Sequence, residues 1–278
     1  MKKNAKKTVK SRFKYLTLLV CAFTVLLFSC GKNNTEPVNP EPGNGEPWTG
    51  VNYNTADINA VKLRKIYFGH KSVGFDITNG IKRISDITVR TAYNQPGTDQ
   101  SLRDNIAQLS SGAAFVEHDI GNDGNPLNKI AAFRRLMNDI IRNNVDIAFF
   151  KFCYVDINAG TNVNALITAY REAVDEIHTR FPNVIIAHFT VPLYARQASS
   201  DNHVREQFSK WLRETYKDKV FDIAAIQSVR SNGTIAMSLD NTTIALADEW
   251  THDGSHLNNA GGNRIGGALI AFLAQLKK

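Results

Sequence analysis

Two stretches of this 278-residue chain are apolar almost throughout: "VDIAFFKF" at 145–152 and "NVIIAHFT" at 183–190. A strand turns successive side chains to opposite faces, so a run with no polar face must be covered on both sides. That is the situation of a parallel sheet held between two helical layers. The rest of the pattern agrees. Helical spacing is read at 56–64, at 72–84 with Val73, Ile77 and Ile81 on one face, and at 128–143, 162–180, 202–217 and 260–276. Strand patterns are read at 65–68, 86–93, within 113–120, and at 219–224, and a polar loop is expected after 93. Strands alternating with helices of this length require parallel crossovers. The predicted fold class is α/β, a three-layer α/β/α sandwich on a parallel sheet of about five strands.

The N-terminus stands apart from this pattern. Seven basic residues (Lys2, Lys3, Lys6, Lys7, Lys10, Arg12 and Lys14) precede an apolar run at 15–28 that ends in Ser29-Cys30-Gly31. A basic segment, an apolar segment and a small residue before the cut describe a secretory signal. "LLFSC" resembles the lipobox of bacterial lipoproteins, in which the cysteine is lipidated and becomes the new N-terminus. The expected organisation is a lipoprotein signal peptide at 1–29, lipidation at Cys30, a tether at 30–50 and a folded domain at 51–278. The tether, rich in Pro, Gly, Asn and Glu, is too poor in aliphatic residues to order itself. The implied location is a lipid anchor on a cell-envelope membrane, with the domain facing the periplasm or the exterior.

The signal's seven cations equal the whole formal net charge of +7, so the remaining chain is balanced. Its basic character therefore gives no support for a nucleic-acid partner. With Cys21 in the signal and Cys30 lipidated, Cys153 is left alone, which excludes an intramolecular disulfide and a cysteine-rich metal site.

In open sheets of this class, ligands bind beyond the carboxyl ends of the strands. The polar clusters fall there: Gly69-His70-Lys71-Ser72 after the first strand, "HDIGNDGN" at 118–125, "CYVDIN" at 153–158, and "EWTHDGSHLNNAGG" at 249–262. Asp253 and His256, three apart just before a helix, can lie side by side. The carboxylate then fixes the imidazole tautomer and leaves the other nitrogen to take a proton. Ser72, on a strand-to-helix turn between glycines, is the natural source of that proton, and N–H groups at a helix start can hold an oxyanion.

Here the sequence resembles the SGNH/GDSL hydrolases. "DGSHLNNAGGNRIGGALI" is similar to that family's last block, and "VIIAHFTVPL" to the strand and proline before its variable loop. "IYFGHKSVG" stands where the family carries G-D-S, so the chain looks like a divergent branch. The resemblance spans about residues 60–277. It implies a flavodoxin-like sandwich and hydrolysis of esters, thioesters or acetylated glycans with no metal or other cofactor. Ser72 would be the nucleophile, His256 the base and Asp253 its orienting carboxylate. The oxyanion hole would take the Ser72 N–H together with Gly121 and Asn122. The family's G-x-N-D block is replaced by "FCYVDIN", where Tyr154, Asp156 or Asn158 could fill the space.

Each feature has a plainer reading. Ser72 has the character of a helix N-cap. His70 is either a competing base or a structural ring, and Trp250 either a pocket wall or core. His252, Asp253 and His256 have zinc-like composition but no third distant ligand. The expected partner is a small-molecule or glycan ester substrate. The rival function is a glycan-binding lipoprotein with a degraded catalytic site.

Overall fold

The computed structural model describes residues 49–93, 99–109, 114–195 and 199–277. The signal peptide, Cys30 and all but the end of the tether lie outside the described residues. No helix among the described residues is long and apolar enough to cross a membrane.

The chain is an α/β protein in which α1 (Thr55–Lys62), β1 (Ile66–His70), α2 (Val73–Ile84) and β2 (Val89–Ala92) come first. They are followed by α3 (Gln100–Gln108), β3 (Phe115–Asp119), α4 (Pro126–Leu136), β4 (Ile147–Phe150) and α5 (Val163–Arg180). Then come β5 (Ile185–Ile186), β6 (His188–Phe189), α6 (Ser199–Tyr216), β7 (Val220–Phe221), α7 (Ile223–Ser228) and α8 (Asn259–Gln275). Five strands form a parallel sheet in the order β2-β3-β1-β4-β5, and β6 pairs in parallel with β7. β5 and β6 are successive parts of one extended run, joined at Ala187, whose N–H bonds Ala148 O at 3.2 Å. With β2 counted as an added edge, the remaining order is the flavodoxin-like one, whose reversal lies between β1 and β4.

Side-chain alternation sorts the core into two layers. Ile66 and Phe68 of β1, with Phe115, Ile147 and Phe149, pack under α1, α2, α7 and α8. Tyr67, Val116, Ala148 and Phe150 face the opposite way, under α3, α4, α5 and α6. Three sequence expectations are corrected. β1 continues through Gly69 to His70, because both residues bond into the ladder with β3. The loop after residue 93 contains α3, which buries Leu102 and Ile106 at a spacing of one helical turn within an otherwise polar segment. The run at 183–190 is divided between two sheets.

On one side of the sheet α2 and α8 run in direct backbone contact. A Cβ on Gly80 would lie 2.0 Å from Gly262 O, and one on Gly262 would lie 2.6 Å from Asp76 O. A Cβ on Gly266 would come within 2.9 Å of Ile81 N. Side-chain-mediated helix packing holds axes about 8–10 Å apart, and the glycines permit a closer approach. Arg83 Nε donates to Asn263 Oδ1 at 2.8 Å across the same seam.

Beneath α2, Glu117 of β3 gathers four donors. His70 Nε2 lies at 3.1 Å, Thr78 Oγ1 at 2.5 Å, Lys82 Nζ at 2.8 Å and Thr91 Oγ1 at 2.6 Å. Burial pushes the Glu117 carboxyl up, but these bonds outweigh it and bring it down to about 2. Burial also pushes three histidines down: His70, His118 to about 4 and His188 to about 3.

An unfolded chain takes up these histidine protons near the ordinary 6.5, whereas the fold resists them. Their contribution is therefore full above that value and lost as pH falls below it. Glu117 adds a second loss between its ordinary 4.5 and about 2. We expect the urea midpoint of the domain to fall steadily from neutral pH down to about 4 and more steeply below. A flat profile over that interval would contradict the assignment of neutral buried rings.

Candidate active site

The register sets three strand exits side by side. β1 pairs His70 with Asp119 of β3 and Gly69 with Phe150 of β4. The ladder continues one bond further on each side, through Ile120 N to His70 O and Lys151 N to Gly69 O, both 3.1 Å. Residues 71–72, 120–122 and 152–154 thus leave the sheet together at its carboxyl edge, at the order reversal.

Ser72 forms the turn from β1 into α2 with φ 52° and ψ −112°. This is a left-handed conformation that costs a non-glycine residue roughly 1–3 kcal/mol. Its side chain makes no capping bond, and its buried Oγ has no hydrogen-bond partner. Backbone bonds hold the turn, from Gly74 N to Lys71 O at 3.0 Å and from Phe75 N to Ser72 O at 2.7 Å. Gly74 is needed because a Cβ there would sit 2.2 Å from the His70 ring. In "GHKSVG" the histidine therefore lies under the helix start, bonded to Glu117, and is structural. Lys71 turns outward to Asp119 at 3.1 Å.

Asp253 and His256 meet as the spacing predicts. Asp253 Oδ1 accepts the N–H groups of Ser255 and His256 at 2.8 and 2.7 Å, and Oδ2 accepts His256 Nδ1–H at 2.6 Å. Burial pushes the Asp253 carboxyl up. The bonds from His256 and Ser255 prevail and hold it well below the usual carboxylate range. A carboxylate only accepts, so Nδ1 carries the proton and Nε2 keeps a lone pair. Leu257 N donates to Asp76 Oδ2 at 3.0 Å, which ties this loop to the first turn of α2, beside Ser72.

Nε2 of His256 faces the Tyr154 hydroxyl at 3.4 Å and not the Ser72 hydroxyl. Tyr154 follows β4. Of the polar residues that follow β4, Asp156 is fully committed, to Lys129 Nζ at 2.6 Å, Cys153 N at 2.6 Å and Gly124 N at 2.8 Å. Asn158 closes its own turn through Gly160 N at 2.9 Å. Gly121 lies two residues past Asp119 as Ser72 lies two past its partner His70, with φ +64° and an N–H that donates no hydrogen bond among the described residues. Asn122 is exposed, and its N–H is taken by Asn128 Oδ1 at 2.9 Å.

Among the described residues, two clusters have metal-ligand composition. Ligand atoms of His252, Asp253 and His256 lie within 4.8 Å of one another, as do those of Asp123, Cys153 and Asp156. In the second, the Lys129 ammonium bridges Asp123 and Asp156. Trp250 proves structural: its Nε1–H bonds Val229 O at 2.8 Å, and Arg264 covers the ring at 5.0 Å.

The sequence reading passed over two buried cations that shape the site. Lys129 fixes the 121–125 loop. Arg205, 1% exposed, donates from Nε to the carbonyls of Tyr154 and Ile157 at 2.9 and 3.0 Å. Each stands on an apolar helix face, Lys129 beside Ile130 and Phe133 and Arg205 beside Phe208 and Leu212. A cation in such a stripe was the available signal.

No family model and no curated protein matches the chain. Among solved structures, it is similar to a carbohydrate esterase family 3 protein from Talaromyces cellulolyticus, at 17% identity over 77% of this chain and 97% of that one, TM-score 0.42. It is similar to an acetyl esterase mutant with acetate ion, at 18% identity, the same coverages and TM-score 0.42. It is also similar to a member of the lipolytic protein G-D-S-L family from Veillonella parvula, at 15% identity over 74% and 94%, TM-score 0.38.

A cap and a strained serine make opposite predictions for stability. With no capping bond to lose, Ser72→Ala should leave the unfolding free energy undiminished. Ser72→Gly, which relaxes the left-handed turn, should raise it by about 1 kcal/mol. A loss of about 1 kcal/mol in Ser72→Ala, measured by urea denaturation, would restore the cap reading.

Proposed function

We propose that the protein is a serine esterase working by acyl transfer through Ser72. The observation that carries this is the orientation of His256, with Nδ1–H bonded to Asp253 at 2.6 Å and Nε2 turned to the edge where Ser72 is held in a strained turn. In the reaction, Ser72 Oγ attacks the ester carbonyl carbon as its proton passes to Nε2. The tetrahedral oxyanion is held by the backbone N–H groups of Ser72 and Gly121. Collapse expels the alcohol, which takes the proton from His256, and leaves an acyl ester on Ser72. Water, deprotonated by the same nitrogen, attacks that ester and frees the acid and the serine. Asp253 stays ionised and stabilises the imidazolium.

The substrate class is an O-acyl ester, and O-acetylated glycans suit a domain tethered at the cell envelope. That tethering is a proposal resting on "LLFSC" and the basic, apolar segment before it. Replacing Cys30 with Ser should move the protein from the membrane fraction to the soluble fraction, and persistence in the membrane would count against lipidation there.

One observation favours the rival, a glycan-binding domain with a disabled site: Nε2 faces Tyr154 and not Ser72. A fluorophosphonate probe decides between them. An esterase should label in the wild type, lose labelling in Ser72→Ala, and label at least about a hundredfold more slowly in His256→Ala. A folded wild-type domain that resists the probe would leave the binding reading.

A further inference from the structure

We propose that the Tyr154 phenol is a catalytic residue, a side-chain oxyanion donor supplied by the turn after β4. This rests on the esterase reading above.

Ester attack places negative charge on the former carbonyl oxygen. Donors that stabilise it must be fixed beforehand within hydrogen-bonding reach of that position. The Ser72 and Gly121 N–H groups come from the exits of β1 and β3. A third donor entering from the opposite flank would come from β4, the strand that borders β1 there. Three side chains after β4 could serve. Asp156 is an acceptor, buried and saturated by Lys129 and two backbone N–H groups. The Asn158 amide oxygen closes the turn to Gly160, and the residue is exposed. Tyr154 remains, and it alone of the three reaches the catalytic nitrogen.

Its hydroxyl lies 3.4 Å from His256 Nε2, the atom that must receive the Ser72 proton. In the proposed reaction the phenol oxygen and the attacking serine oxygen would have that nitrogen as a common neighbour. With Nδ1–H donated to Asp253, Nε2 is an acceptor, so the phenol donates its O–H. When Ser72 Oγ takes over Nε2, that O–H is released and faces the developing oxyanion. No proton leaves the phenol at any stage.

The phenol is also held in advance. The Tyr154 carbonyl accepts from buried Arg205 at 2.9 Å. The ring stands edge-on to Tyr194 with centroids 4.5 Å apart, and Arg205 lies over Tyr194 at 5.0 Å. Such preorganisation is what gives an oxyanion donor its effect.

The test compares wild type with Tyr154→Phe in p-nitrophenyl acetate hydrolysis and in affinity for a boronic acid, which forms a tetrahedral adduct on an activated serine. The urea midpoint is measured for both. Loss of one donor should lower kcat by about a hundredfold and leave KM within about twofold, with boronate affinity falling in parallel. The urea midpoint should stay unchanged. A kcat that is unchanged or raised would overturn the proposal, as would a lowered kcat with boronate affinity intact. Either result would mean that Tyr154 only holds Nε2 in the free enzyme. A folded wild type that neither hydrolyses the ester nor binds the boronate would overturn the esterase reading, and this inference with it. An active wild type with an unaffected Phe variant would overturn this inference alone.

Discussion

The site exists because α2 and α8 touch backbone to backbone. Gly80, Gly262 and Gly266 leave no room for side chains in the seam, so the start of α8 is drawn against the first turns of α2. Ser72 opens α2 and His256 precedes α8. Bringing the two helix starts together brings Ser72 and His256 to one edge, although 184 positions separate them in the chain. The Leu257–Asp76 bond fixes the register of that approach. A larger residue in the seam would part the helices and separate the two halves of the site.

Two buried charge clusters complete the frame, one on each flank of β1. On the β3 side, Glu117 draws Lys82 and Thr78 of α2 and Thr91 of β2 onto a single carboxylate, and His70 is held beneath the serine turn. On the β4 side, Asp156 and Lys129 clamp the 121–125 loop to the exit of the central strand. Buried charges of this kind contribute little net stability, since desolvation offsets most of their attraction. Their effect is geometric: each partner has one place in which its charge is satisfied. The loop that carries Gly121 and the turn that carries Tyr154 are held by the same carboxylate.

The serine is strained with a buried, unbonded hydroxyl, and the histidine is oriented by a carboxylate, yet the two are not joined. A phenol lies at the histidine's Nε2. This arrangement keeps the imidazole tautomer correct, because Asp253 takes Nδ1–H regardless of what meets Nε2. It also accounts for the unusual "GHKSVG". The histidine serves the Glu117 cluster, Gly74 lets α2 start above its ring, and the serine takes the one position whose hydroxyl no structural bond claims.

Much of this was legible in the sequence because it depends on local rules. Runs without a polar face mark strands covered on both sides, hence the parallel sheet and its helical layers. Asp253 and His256 pair because three residues of turn suffice to align them. The position of Ser72 on a strand-to-helix turn follows from the change of period at Gly69. What the sequence could not assign depended on contacts between distant segments. Nothing local distinguishes Tyr154 from Asp156 or Asn158 after β4; Lys129 of α4 claims Asp156, and of the three only Tyr154 reaches His256 Nε2. Nothing local shows whether Ser72 caps its helix, since the sign of one backbone torsion settles that, and the packing over His70 helps to set it. The sequence by itself determined the layers, the edge where polar groups gather and the histidine–carboxylate pair. Only the tertiary structure decided which groups at that edge are spent on holding the fold and which remain free to react, because a buried polar atom is free only if no distant partner reaches it.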